Sequence, residues 1–411
     1  MSEGNLRRNM LWNAAGNLIY VACQWLVTVL VTTLGSFHDA GVLSVAMSIT
    51  ATFRTLALFG IRNFQVSDVD GKYSDSCYVG FRVITCLAAL AGCMIFALAA
   101  DYTAEQLLAT LLFMLFHLSE NFADVLHGIA QKRDRLDVAG MSFAARGLGL
   151  LIVFVAVYRI SGNLLLGLLA MTLCTWLVTL LFDLIEVRRL AKFSIALGGK
   201  NWLSLAGETA PLCVYLFLNA AIVSAPKLFL ERVSGEEILG AYSSIYAPAL
   251  LIPVVLGYLY NPFAQIFGEL CKKRDRAAFL RLTGKLCLAI ACVSILIMVV
   301  GYFLGEWGLV LIFGEMIRPY VGFFMPILAA MAIVAFFSFF CMLATVLRDF
   351  WWLVSACAVG VLLEILLTVP WIRASGINAT SYSCILAAAA ATLILCGRVL
   401  WILLSKQKRR M

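Results

Sequence analysis

Residues 117 to 127 read HLSENFADVLH, which sets His117, Glu120, Asn121, Asp124 and His127 three or four positions apart. On a helix that spacing gathers them on one face, along about 15 Å at 1.5 Å per residue. Carboxylates and imidazoles arranged in this way could bind a cation or carry protons, with Glu120 or Asp124 titrating as its surroundings change polarity. The pattern serves equally as a hydrogen-bond ladder that fastens one helix to the next. A metal site is a third alternative and would need ligands from other helices. Arg54 and Arg146 fall at similar depths in two apolar stretches of the first half and suit a bidentate clamp for a phosphate-bearing anion. Snorkelling combined with carboxylate pairing is the other reading, with Glu120 and Asp124 the nearest partners in depth. Glu364, in the run VLLEILLTVP, has no opposite charge on its own helix. It is therefore either protonated or paired across helices, and it is a second ion-coupling candidate. Lys227 and Glu231, at i and i+4, make most simply a local ion pair, and Arg398 lies near enough to a helix end to snorkel.

The elements that carry these residues are apolar. Of 411 residues 63% are hydrophobic and 13% charged, and the mean hydropathy is +0.96, against about 45–50% and about 25% in soluble domains. Such a chain has no polar skin for a water-exposed fold, which excludes a cytosolic enzyme, a secreted disulfide scaffold and a disordered chain. About 20 apolar residues cross a bilayer. On that criterion the first half offers spans at 10–34, 40–61, 78–100, 105–130, 139–158 and 164–186. The second half offers 211–231, 240–266, 282–304, 319–347, 351–371 and 378–404, with 305–319 the least defined boundary. The fold class is an all-α integral membrane protein with twelve transmembrane helices. The break at 187–210 divides it into an N-terminal six-helix lobe (1–186), a cytoplasmic linker (187–210) and a C-terminal six-helix lobe (211–411) ending in a basic tail.

Short loops rich in lysine and arginine stay cytoplasmic. With the N-terminus inside, 23 of the 31 basic residues, Arg62, Lys72 and Arg82 among them, fall in inner segments and four in outer loops. Both termini are accordingly expected in the cytoplasm. The net charge of +8 follows from this asymmetry and implies no nucleic-acid partner. The basic lead MSEGNLRRNM precedes an apolar run longer than a signal-peptide core, so it reads as a retained first helix. The 13 cysteines form no CxxC pair or zinc spacing and read as packing residues. No GxSxG elbow or Walker loop is present, so the chain is not expected to be an enzyme or an ATP-driven motor.

At an offset of 199 the halves share features: Gly41-Val-Leu-Ser44 corresponds to Gly240-Ala-Tyr-Ser243, and Arg62-Asn-Phe-Gln to Asn261-Pro-Phe-Ala-Gln. Six helices repeated in one orientation would give two lobes suited to alternating access. Pro226, Pro248, Pro253, Pro326 and Pro370 interrupt only second-half helices, where they could supply bending or simply be tolerated.

The strings RNFQVSD at 62–68, KYSDSCYVGFR at 72–82 and HGIAQKRDRLDVAGMSFAARG at 127–147 resemble bacterial polysaccharide flippases of the multidrug/oligosaccharidyl-lipid/polysaccharide exporter superfamily. WNAAGNLIY at 12–20 and LGSFHDAGVLSVAMSI at 34–49 are similar to that family too, and the second half matches mainly by topology. The resemblance implies a MATE-like exporter fold in the bacterial cytoplasmic membrane. It implies a translocase that carries an undecaprenyl-diphosphate-linked oligosaccharide to the outer leaflet, coupled to a proton or sodium gradient, with no other cofactor and no metal. Arg54, Arg62 and Arg146 are the positions that would match the family's cationic cavity lining. Membrane lipids and the glycosyltransferases or polymerases of the same process are candidate partners, and a monomer is expected. A cation-coupled drug antiporter of the same superfamily is the rival; it would present carboxylates to its cavity where a flippase presents guanidinium groups.

Overall fold

The computed structural model describes residues 3–68, 71–196, 198 and 200–404, excluding the side chains of 3–8, 63, 67 and 200. The charges of Arg7, Arg8 and Lys200 and the basic tail 405–411, on which the orientation argument draws, lie outside this description. Twelve helices are long and apolar enough to cross a membrane, and no strand occurs among the described residues. They are α1 (Asn9–Leu34), α2 (Phe37–Leu58), α3 (Asp75–Ala99), α4 (Ala104–Lys132), α5 (Leu136–Ser161), α6 (Leu164–Leu190), α7 (Asn201–Ser234), α8 (Glu236–Lys273), α9 (Arg276–Phe313), α10 (Glu315–Val346), α11 (Phe350–Ser375) and α12 (Ala379–Leu404). Several run longer than the apolar spans in the sequence, α9 by more than a turn at each end, because hydropathy marks only the part that sits in hydrocarbon. The ill-defined 305–319 region resolves into the end of α9 and a 3₁₀ stretch, Glu315–Phe323, that opens α10.

The chain divides into two compact units, Met1–Phe217 and Leu218–Met411. This moves the boundary expected at 187–210. Helix α6 continues to Leu190, and the segment from 200 onward is already helical. The first turns of α7 belong to the first unit because they bury themselves in it. Leu205 is fully buried in a core with Tyr78, Phe81, Leu126 and Ile129, and Trp202 packs edge-on against Phe81 at 6.0 Å. The Tyr73 hydroxyl donates to Ser204 and Glu208, and Lys72 Nζ pairs with Glu208 at 2.5 Å. In that loop burial works against ionising Asp68, yet the backbone N–H groups of Tyr73 and Lys72, the Tyr78 hydroxyl and nearby Lys132 hold its carboxyl below the ordinary aspartate range.

Three local features position the polar groups of the first unit. Thr103 and Gln106 form a reciprocal capping box that fixes where α4 begins and hence the phase of its polar stripe. Between α2 and a short helix, Ile61–Ser67, the backbone reverses through left-handed Phe59 (φ 49°) and Gly60 (φ 65°), turning Arg62 back toward α4. In α6 a single π-helical turn, Thr179–Asp183, interrupts the α-helix. Helices α1 and α5 meet backbone to backbone: a Cβ on Gly16 would lie 2.0 Å from the Gly140 carbonyl oxygen, and one on Gly147 would lie 2.8 Å from Tyr20 Cα. Small residues at a crossing permit this approach in a bilayer, where tight packing replaces the hydrophobic drive. The apolar core of this unit gathers Val31, Leu43, Phe116, Leu150, Phe154 and Met171.

In the second unit Phe267, Phe279 and Phe339 cluster at 4.7 and 6.3 Å, and the Tyr242 hydroxyl bonds Ser381 at 2.8 Å. Helix α8 breaks its α-helical run at Leu250, two residues after Pro248, and again in a 3₁₀ turn at Asn261–Phe263 that contains Pro262. Pro262 lies inside the second interruption, where its missing N–H removes one helical bond.

Candidate functional site

The α4 stripe does face other helices, and its members part into three groups, each joined to a guanidinium. At the first, Glu120 Oε1 accepts from the hydroxyl of Tyr20 and, at 3.1 Å, from Gln24 Nε2, both on α1. Its other oxygen lies 2.5 Å from His117 Nδ1 and 3.5 Å from an Arg54 nitrogen on α2. Arg54 Nε also donates to Asn121 Oδ1 at 3.4 Å. At the second, one turn further along, Asp124 accepts from Arg62 at 2.9 Å and from Arg82 of α3 at 2.8 Å, while Arg62 reaches Gln131 at 3.0 Å. At the third, His127 Nε2 lies 3.0 Å from Asp183, whose second oxygen accepts from Arg146 at 2.5 Å. Arg146 also holds Thr179 at 2.7 Å and Ser142 at 3.1 Å. Thr179 and Asp183, the two ends of the π-turn, meet the same guanidinium.

Buried charge is costly in low dielectric unless it is paired, and these pairs supply the compensation. The accounting leaves one guanidinium over. Arg54, Arg62, Arg82 and Arg146 face Glu120, Asp124 and Asp183, so with neutral imidazoles the stripe carries an excess positive charge.

A cavity of about 510 Å³ opens within the first unit beside the Glu120 group. Val27, Leu43, Met47, Ala51, Leu58, Phe113, Phe116, Leu150 and Met171 make most of its wall, and Gln24, Thr28, Thr55, His117 and Arg54 the rest. Arg54 is its charged lining residue, with 36% of its side chain exposed against 7% for Glu120. Arg62 and Arg146 are not in this wall. Arg62 is held at Asp124, and the Arg146 side chain is 1% exposed and locked to Asp183. Arg54 and Arg146, read from the sequence as a clamp, and Arg62, matched with them to a cavity lining by resemblance, thus occupy three places. Asp124 sits between two guanidinium groups, and among the described residues no group of three or more histidine, cysteine, aspartate or glutamate side chains converges as metal ligands would.

Glu364 in the second unit is fully buried. Its Oε2 accepts from Thr368 at 2.6 Å and Oε1 has no partner, so no guanidinium or ammonium offsets it among the described residues. Lys227 does not pair with Glu231; its Nζ lies 4.7 Å above the Tyr246 ring. Arg398 is held by Asp349 at 2.6 Å and stacks on Trp352 and Trp401, where snorkelling was expected.

Sequence reasoning missed four participants. Arg82 was counted among inner-loop charges but is completely buried. Asp183 was passed over near the end of a span, although a lone aspartate in LLFDLIEV is a signal of the same kind as Glu364. Tyr20 and Gln24 carry no charge, and only the contact with Glu120 reveals them.

No family model matches the chain. Solved structures do match it along nearly its whole length, and they define the class of fold: that of MATE transporters. A mutant of the Vibrio cholerae MATE transporter VcmN superposes with a TM-score of 0.66 at 11% identity, covering 97% of this chain and 96% of that one. An inward-facing multidrug resistance MATE family transporter of the MOP superfamily also gives 0.66, at 10% identity over 99% and 97% of the two chains. A MOP superfamily transporter from Pyrococcus furiosus, described as having a binding pocket of reverse polarity that suggests a different function, gives 0.56 at 11% identity, covering 97% and 93%. In sequence, the capsular polysaccharide biosynthesis protein CapF of Staphylococcus aureus is 27% identical over 318 residues, 75% of this chain and 77% of that protein. The chain is a multi-pass membrane protein with a transporter fold, and the solved structures it matches are transporters rather than enzymes.

Proposed function

We propose that this protein translocates a lipid-linked oligosaccharide, carried on undecaprenyl diphosphate, from the inner to the outer leaflet of a bacterial cytoplasmic membrane by alternating access, with both termini in the cytoplasm. The observation that carries this reading is the sign of the cavity. Its charged wall residue is a guanidinium, and the carboxylate that pairs with it, Glu120, is not part of the wall and is shared among Tyr20, Gln24, His117 and Arg54. An antiporter for amphipathic cations needs the opposite arrangement. The mostly apolar wall beside Arg54 suits an anionic amphiphile: phosphate oxygens on the guanidinium and the first lipid carbons against Leu43, Met47 and Phe116. The 27% identity to a capsular polysaccharide biosynthesis protein supports a polysaccharide-precursor cargo.

Turnover against a cargo gradient needs an energy source, and a proton or sodium gradient is the proposed one. Glu120, Asp124 and Glu364 are the sequence candidates for coupling. Of these Glu364 has the surroundings of a carboxyl that changes charge state, since it is buried without a cationic partner.

Depletion of the protein tests the reading in cells. Undecaprenyl-linked oligosaccharide should build up in the cytoplasmic leaflet while surface polymer is lost. Unchanged sidedness would move the assignment to a small-molecule antiporter.

A further inference from the structure

Glu120 is contested. Its Oε1 is taken by Tyr20 and Gln24, whereas Oε2 faces two groups that can carry positive charge, His117 at 2.5 Å and Arg54 at 3.5 Å. Both rivals line the same cavity. The imidazole is held in place by Phe113 and Phe116, with ring centroids 5.0 and 5.3 Å away. The other guanidinium groups of the stripe are committed elsewhere, Arg62 and Arg82 to Asp124 and Arg146 to Asp183 together with His127, while His38 pairs with Glu105 and Arg135 with Asp137.

We propose that His117 is a proton-binding site that controls the cavity's affinity for anions, a protonated His117 taking Glu120 from Arg54 and so releasing the guanidinium to a phosphate. This deepens the proposed function and rests on its reading of Arg54 as the phosphate contact. While His117 is neutral, Arg54 is the only full positive charge on Glu120 among the described residues, and a ligand that recruits it strips a buried carboxylate of its countercharge. With Nδ1 already directed at Glu120, the incoming proton is accepted at Nε2. The imidazolium then balances Glu120 alone, and Arg54 can turn to the ligand at no electrostatic loss. By linkage an anionic ligand and a proton bind cooperatively.

The test uses the full-length protein in lipid nanodiscs with geranylgeranyl diphosphate as probe, titrated between about pH 5.5 and about pH 8, the range in which imidazole charges. Wild type is expected to bind about tenfold tighter at the acid end, within the range usual for coupled sites, and to take up protons on binding in weakly buffered solution. The probe's own ionisation is common to all variants and drops out of the comparison with H117Q, which should lose that tenfold ratio. A wild-type ratio in H117Q would overturn the proposal. If H117Q does not fold, E120Q makes the same test, because without the contested carboxylate the profile should be flat, and a persisting ratio again overturns it. R54Q is the separate control: wild-type binding by R54Q at every pH would refute the cavity reading itself, whereas weak binding by R54Q with an unaltered H117Q ratio would refute only the role of His117.

Discussion

The charged side chains of the first unit differ in what surrounds them, and that difference separates structural groups from working ones. Arg146 is enclosed, with Asp183, Thr179 and Ser142 as its partners, and His127 shares the same aspartate. This is the geometry of a fastening between α4, α5 and α6. Asp183→Asn would leave a buried guanidinium without its carboxylate, a loss of about 3–5 kcal/mol. The expected result is a large drop in the melting temperature of the purified protein; a variant as stable as wild type would show that Arg146 finds its compensation elsewhere. Arg54 differs in both respects: it is one-third exposed, lines a cavity, and shares its acceptor with an imidazole. The residue types were legible in the sequence, for charges in apolar runs stand out. Their grouping was not, because the spacing along α4 fixes only which side chains share a face, and the partners come from α1, α2, α3 and α6. Arg82 illustrates the limit: a basic residue about two turns from a loop reads as interfacial until its contact with Asp124 is seen.

At the scale of elements, the helices follow from hydropathy, and their contacts follow from residue size. Hydropathy located all twelve helices, while the stretch 200–210, polar enough to resemble part of a linker, inserts Leu205 and Trp202 into the first unit, which runs to Phe217. The α1–α5 contact depends on glycine at Gly16, Gly140 and Gly147, where backbone atoms of the opposing helix occupy the place of a side chain. Gly140→Leu must push α1 away from α5. Overpacking of this kind typically costs about 1–3 kcal/mol, and here it also displaces Tyr20 and Gln24 from Glu120. The expected outcome is a lowered melting temperature together with weakened prenyl diphosphate binding. A stable variant with wild-type binding would show that α1 does not position the Glu120 group. The π-turn of α6 was not foreseen, as nothing in TLLFD marks an extra residue in a turn.

At the scale of the whole molecule, the chain shares its fold with MATE transporters, and the proposed cargo rests on the guanidinium in the cavity wall of the first unit. The most direct test places the purified protein in vesicles with a fluorescent undecaprenyl-diphosphate-linked oligosaccharide and follows its accessibility to a membrane-impermeant quencher. Wild type should move the lipid between leaflets at a rate that responds to an imposed proton or sodium gradient. Glu364→Gln should blunt that response, and Arg54→Ala should slow movement about tenfold or more, the effect of losing one charge-assisted contact of about 1.5–3 kcal/mol. Wild-type vesicles in which the lipid stays in its original leaflet would contradict the account.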